Sequence, residues 1–194
     1  MLTSQETKSL FLIEEFLKTN APHFPITPTI AIQVAWFGTV YIKDESQNPT
    51  GTHKDRMARE IVNTYREMLL TKKEGHHNHS LPVFSIISAW SAAFAIQTQL
   101  QKFHLPALHI LVDTDTSPHI IDMLKNKWWK VYMHHFDHKA LSGEDILKLT
   151  ENNNGFDITS NKAFDSWVRF YDRLSYEVLN YCPDIVFVPY WTGQ

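Results

Sequence analysis

Apolar and polar positions change their period several times along this chain, and each change marks an element. Near the amino terminus Phe11, Leu12, Phe16 and Leu17 recur at helical steps. They follow Thr3 and Glu6, a pair that fits a capping box, so a helix running to about Lys18 is expected. Pro22, Pro25 and Pro28 end it and set up an extended connection through Ile30 to Val34. Gly38-Thr39 then turns the chain into a short strand, Val40-Tyr-Ile-Lys-Asp44, and Met57, Ile61, Tyr65 and Met68 restore the helical period.

From Val83 onward the alternation becomes regular. Val83 to Ile87, Leu108 to Val112 and Lys130 to Met133 read as short apolar strands. Helices are expected over 91–103, after Ser117-Pro118, where proline takes the first helical position, and over 141–149. Asn152-Asn-Asn-Gly155 is a break. A long amphipathic stretch follows, with Phe164, Trp167, Val168, Tyr171, Leu174, Val178 and Leu179 at three- and four-residue steps. Pro183 then introduces an apolar strand, Ile185-Val-Phe-Val188. Strands alternating with helices imply an α/β fold with right-handed crossovers and a parallel sheet, whose ligand site lies beyond the carboxyl ends of the strands. Three loops there are candidate walls of a site: Gly51-Thr-His-Lys54, Ser88-Ala-Trp-Ser91, and Pro189-Tyr-Trp-Thr-Gly-Gln194.

Composition narrows the function classes. The chain has 194 residues, 43% hydrophobic and 20% charged, enough for one substantial core. A net charge of −3 and a pI near 6.4, with scattered Lys and Arg, exclude the basic field that nucleic acid requires. No apolar run approaches a membrane span, and the single cysteine, Cys182, reads as a packing residue. No secretory pattern opens the chain, so a cytoplasmic location is expected. His76, His77 and His79 lie in a polar loop without the i, i+4 spacing of helical metal ligands, and no metal is expected. A histidine-rich metal protein, drawing also on His134, His135 and His138, is the rival that metal analysis would address.

The stretch with the most chemistry is Asn48-Pro-Thr-Gly-Thr-His-Lys-Asp-Arg56, which delivers Lys54 onto the start of a helix after the Val40 strand. Free backbone N–H groups in a first helical turn favour an anion and disfavour an ammonium. Lys54 is therefore biased toward the free amine, the form that condenses with a carbonyl to give a Schiff base. Thr52 and Asp55 also fit an ordinary capping pattern, so the same residues read equally as turn and cap.

In order and spacing, Tyr41-Ile-Lys-Asp-Glu45 and the Asn48 to Arg56 stretch resemble the fold-type II pyridoxal phosphate (PLP) enzymes, such as threonine synthase, cysteine synthase and the tryptophan synthase β chain. The likeness is closest to threonine synthase. Thr27-Pro-Thr29, Asp113 to Leu124 and Pro183 to Pro189 resemble three further motifs of that family. The resemblance implies a parallel-sheet, three-layer αβα architecture of the tryptophan synthase β-like type. It further implies a smaller α/β domain over about 45–138 and an incomplete larger one from 1–44 plus 139–194. It implies PLP as cofactor, Lys54 as the Schiff-base lysine and the acid and base at the substrate Cα, and a small amino acid as substrate for β- or γ-elimination or replacement. Ser88, Ala89 and Ser91 match the loop that holds the substrate carboxylate, with Ser91 also on the cofactor side, while Thr192 and Gly193 match the phosphate loop. Trp90, Ser91, Trp191 and Gln194 stand where the family has glycine or asparagine, and only six glycines occur in the chain. A fragment, a homodimer, a partner chain completing the larger domain, and a non-catalytic descendant serving as a binding or scaffold module are the alternatives that these departures leave open.

Overall fold

The computed structural model describes residues 1–19, 27–76, 79–127, 130–137, 140–159 and 171–188. Helix α1 (Ser4–Thr19) opens with the expected capping box: Thr3 N–H donates to the Glu6 carboxylate at 2.8 Å, and Glu6 N–H donates to Thr3 Oγ1 at 3.2 Å. Strands β1 (Thr29–Val34) and β2 (Gly38–Lys43) follow, then a single 3-10 turn at Glu45–Gln47 and the long helix α2 (Lys54–Lys73). The remainder alternates as β3 (Phe84–Ile87), α3 (Ser91–Lys102), β4 (His109–Asp113), α4 (Pro118–Lys127), β5 (Val131–His134), α5 (Gly143–Leu149), β6 (Phe156–Asp157) and α6 (Asp172–Leu179).

The alternation produces the expected parallel sheet, a four-stranded one in the order β5-β4-β3-β6, flanked by helices. Its middle strands are apolar because they are buried: Phe84, Ile86, Leu108, Ile110, Leu111 and Val112 are nearly inaccessible. Against them lie Ala93, Ala95, Ile96 and Leu100 of α3, with Ile61, Tyr65 and Leu69 of α2. Tyr65 meets the cost of burying its hydroxyl by donating to the Pro82 carbonyl at 2.7 Å. α1 docks on α2 through Leu10 and Ile13 and through a buried ion pair, Lys72 to Glu6 at 2.7 Å.

Two local expectations change and one gains detail. Residues 29–34 form a strand and not a mere connection: β1 pairs antiparallel with β2 from Thr29↔Lys43 to Val34↔Gly38, a separate two-stranded sheet. Asn152-Asn-Asn-Gly155 is the expected break; it leads into the short strand β6, and a Cβ at Gly155 would collide with the Asn152 side chain and the Val83 carbonyl. Asn152 uses that proximity to donate to Val83 O at 3.0 Å and Ser85 Oγ at 2.8 Å. Finally, Ile185 to Val188 joins no ladder among the described residues, and its four side chains are exposed. An apolar run becomes a strand only where another strand takes up its N–H and C=O groups.

Candidate active site

The loop before α2 is fixed by its own side chains. Asn48 Nδ2 donates to the Thr52 carbonyl at 3.0 Å and to Glu45 Oε2 at 2.9 Å, closing a turn in which Gly51 takes φ 77°. That left-handed conformation is one glycine adopts without steric cost. Asp55, fully buried, accepts from Thr50 N–H at 3.0 Å and Thr50 Oγ1 at 2.6 Å. The capping box expected of Thr52 and Asp55 is absent: His53 holds the N-cap position without a side-chain hydrogen bond, and Thr52 Oγ1 accepts from Lys54 N–H at 3.1 Å. Asp55 therefore braces the turn from inside, which leaves the first turn of α2 to Lys54.

Lys54 is the first residue of α2 and is half-buried. Its Nζ donates to the Tyr171 hydroxyl at 3.2 Å and lies 5.6 Å from the centre of that ring. Burial pulls the amine's pKa below the usual lysine range. Among the described residues no carboxylate ion-pairs with it. Burial also lowers the His53 pKa, helped by the Lys54 and Arg56 charges and opposed by Glu45.

Behind the amine lies an ionic cluster centred on the buried Arg56, its other charged members partly exposed. Arg56 donates to both oxygens of Glu45 at 2.7 and 2.8 Å, and to both oxygens of Glu177 at 2.9 Å each. Lys43 pairs with Glu177 at 2.7 Å and donates to the Thr27 carbonyl. Thr27 Oγ1 accepts a fifth hydrogen bond from Arg56 at 3.1 Å and donates to Glu45 at 2.5 Å. Burial alone would raise the two carboxyl pKa values, but their hydrogen bonds to Arg56, with Thr27 on Glu45 and Lys43 on Glu177, hold both below the usual range. The guanidinium is held well above its ordinary value, since two carboxylates outweigh its own burial. Two cations matched by two anions leave the cluster neutral, so it exerts little net field on Lys54.

Ser88, Ala89, Trp90 and Ser91 join the carboxyl end of β3 to α3, as expected. Ser88 Oγ accepts from Ala93 N–H at 3.3 Å, so it serves as a brace for the first turn of α3. Trp90 occupies the N-cap without a side-chain hydrogen bond, and its indole stacks on Phe94 at 5.9 Å and 18°. The indole thus lies along its own helix, 44% exposed. None of Ser88, Ala89 and Ser91 hydrogen-bonds Lys54 among the described residues. Thr192 and Gly193, with Trp191 and Gln194, lie outside the described residues, as do Trp128 and Trp129. Sequence reasoning did not pick out Tyr171 or Glu177 for the site; they stand 117 and 121 residues from their partners Lys54 and Arg56, and only folding joins them. Asp113, Asp115 and His135, at the carboxyl ends of β4 and β5, also bring three metal-type donor atoms within 4.8 Å of one another, on largely exposed side chains.

PLP is the cofactor that the sequence resemblance implies, and the described residues fit its point of attachment. The amine is desolvated, sits at a helix start and, among the described residues, is not committed to a carboxylate.

No protein-family model matches the chain, and no curated protein matches it in sequence. Solved structures do match. A pyridoxal 5'-phosphate-dependent aspartate racemase aligns over 90% of this chain with a TM-score of 0.59 at 17% identity. The diaminopropionate ammonia lyase of Escherichia coli, in complex with an aminoacrylate-PLP azomethine intermediate, aligns over 94% with a TM-score of 0.54 at 15% identity. An O-acetylserine dependent cystathionine beta-synthase of Helicobacter pylori gives 0.50 over 93% at 14% identity. The chain spans 51%, 50% and 54% of those three structures, about half the length of each. Such identities establish shared architecture and nothing finer: the chain has the α/β fold of the fold-type II PLP-dependent enzymes.

Proposed function

We propose that this chain, which has the fold of PLP-dependent enzymes, is the lysine-bearing part of a PLP-dependent lyase- or synthase-like protein acting on small amino acids. The observation that supports this is the Lys54 amine, desolvated at the first residue of α2 and, among the described residues, without an ion pair. When bound there, PLP supplies an electron sink for negative charge formed at an amino-acid Cα. The chain's own residues do the rest. Lys54 holds the cofactor by its amine and, once released, takes and returns the proton at the substrate Cα; its lowered pKa makes it a base nearer neutral pH. Ser88, Ala89 and Ser91 offer the start of α3 to a substrate carboxylate, and Thr192 and Gly193 are assigned to the phosphate. A likeness to threonine synthase, elimination or replacement at the β or γ carbon, and a cytoplasmic location complete the proposal. So does a division at about residues 45 and 138, with the larger half completed by a second copy or a partner chain. No described helix is long and apolar enough to cross a membrane.

Borohydride reduction of the folded chain with PLP, followed by peptide mapping, is expected to place the label on Lys54. A folded chain with no label there overturns the proposal. A second reading, a non-catalytic binding or scaffold module, is supported by Trp90 and Ser91 in the substrate loop. It predicts no rise in melting temperature on adding PLP, whereas a ligand that binds only the native state must produce one.

A further inference from the structure

The segment around α6 meets the start of α2 at two points. One is ionic, Glu177 on Arg56. The other is neutral, Tyr171 on Lys54, with the His53 ring 5.7 Å from the same phenol. Tyr171 directly precedes α6, so the Glu177 anchor limits where its ring can go.

We propose that Tyr171 is the positioning residue of Lys54: its hydroxyl fixes the ε-amine by a hydrogen bond and its ring shields the amine from water, so the amine is presented free and in one direction to an aldehyde carbonyl. The inference rests on the Schiff-base reading and adds the residue that sets the reactive state of the lysine. A neutral partner is what such a role requires. A carboxylate at this distance would hold the ammonium, whereas a phenol satisfies the amine in either protonation state. Burial pushes the Tyr171 pKa up to about 12, so no phenolate forms near neutrality to stabilise the cation.

The other charged groups nearby, among the described residues, agree. Glu45 from the turn before α2 and Glu177 from α6 both spend their oxygens on Arg56. From α2 comes the Arg56 guanidinium and from its N-cap His53, which add positive or no charge. Displacing Tyr171 would open the amine to water and remove the desolvation that favours its neutral form.

The test avoids PLP, so it separates this inference from the cofactor proposal. The full chain is reductively dimethylated with 13C-formaldehyde and the ε-methyl signals are titrated by NMR, with Lys54 assigned through Lys54→Arg. In the parent protein Lys54 is expected to titrate below the exposed lysines and to give one sharp signal. Tyr171→Ala should move its midpoint toward theirs. Tyr171→Phe keeps the ring and loses the hydroxyl; it should leave the midpoint low while the methyl signal splits or broadens as the amine loses its single orientation. Circular dichroism checks that each variant is folded, and Tyr171→Phe carries the test should Tyr171→Ala unfold. A Lys54 midpoint equal to that of exposed lysines, a midpoint unmoved in folded Tyr171→Ala, or an unchanged sharp signal in Tyr171→Phe overturns the proposal. If titration behaves as expected but PLP leaves no label, the positioning role stands and the cofactor proposal falls. If PLP labels Lys54 while its titration is indifferent to Tyr171, the cofactor proposal stands and the positioning role falls.

Discussion

The four-stranded sheet and the β1-β2 hairpin are both regular β structure, yet opposite forces hold them. Strands β3 and β4 are buried between helices, and each large apolar side chain there contributes roughly 1.5–3 kcal/mol by leaving water. The hairpin buries little. Its register puts Ile30, Ile32, Val34, Val40 and Ile42 on one face, all of them exposed. Its other face is tied down by Tyr41 against Tyr181, at 4.9 Å between ring centres, and by Lys43 on Glu177. What joins the hairpin to α2 is therefore mainly the ionic cluster around Arg56, and a joint made of charges responds to different perturbations than a core made of hydrocarbon.

Arg56→Ala tests the joint most severely. It leaves Glu45 partly buried without its cation and Glu177 with Lys43 alone, a change that costs less than the roughly 3–5 kcal/mol of a fully buried pair. The expected signature is local: hydrogen exchange in residues 29–43 should accelerate more than in β3 or β4. Uniform acceleration would show that the joint stabilises the whole fold. Ile61→Ala tests the core, where it empties a fully buried position at a cost of about 2–5 kcal/mol, and here thermal unfolding should weaken the sheet and α2 together. Ile32→Ala, on the exposed hairpin face, should cost far less in the same assay.

Acid distinguishes the two regions without mutation. Glu45 and Glu177 have folded-state pKa values below the ordinary 4.5. Their contribution is therefore complete above about pH 4.5 and is lost as the pH falls through the lowered folded values. The hairpin should loosen in that acid window before the parallel sheet does, as read by limited proteolysis near residues 34–38. The Glu6 to Lys72 pair behaves alike, its hydrogen bonds overriding the effect of burial, so the docking of α1 should weaken over the same range. Simultaneous cleavage in the hairpin and the sheet would mean that the two regions do not separate.

The same contrast explains what the sequence made legible. Strands β3 and β4 were readable to within a residue or two because a buried parallel strand is a continuous apolar run whose meaning is local, and β5, partly exposed, was readable from its own short apolar run. β1 carries an equally clear alternation at Ile30, Ile32 and Val34, but the preceding prolines favoured a connection, and only its pairing with β2 makes it a strand. Residues 185–188 show the converse, with strand composition and no ladder among the described residues. In the site, Lys54 was legible because turn, helix start and lysine are contiguous. The contacts around it were not, since Tyr171 reaches Lys54 and Glu177 reaches the neighbouring Arg56 across more than a hundred residues, with no local mark of doing so.

The smallest expected effect is also the one whose sign is most informative. Trp36 at the hairpin tip is fully exposed, and its φ of 73° lies in the left-handed region, where a residue with a Cβ is strained. Phe37 N–H closes the turn on the Val34 carbonyl at 3.1 Å, a bond that needs no side chain at position 36. Trp36→Gly removes the strain and gives up no buried area, while glycine adds back some entropy to the unfolded chain. The balance predicts a change between zero and a gain of about 1 kcal/mol, read as an unchanged or slightly raised melting temperature. Trp36→Asn, which tolerates the same φ without the entropic penalty of glycine, should match or exceed it. A clear loss that shrinks on dilution, as the parent itself dissociates, would show instead that the indole is covered by another chain in solution, and the hairpin would then be held by apolar burial after all.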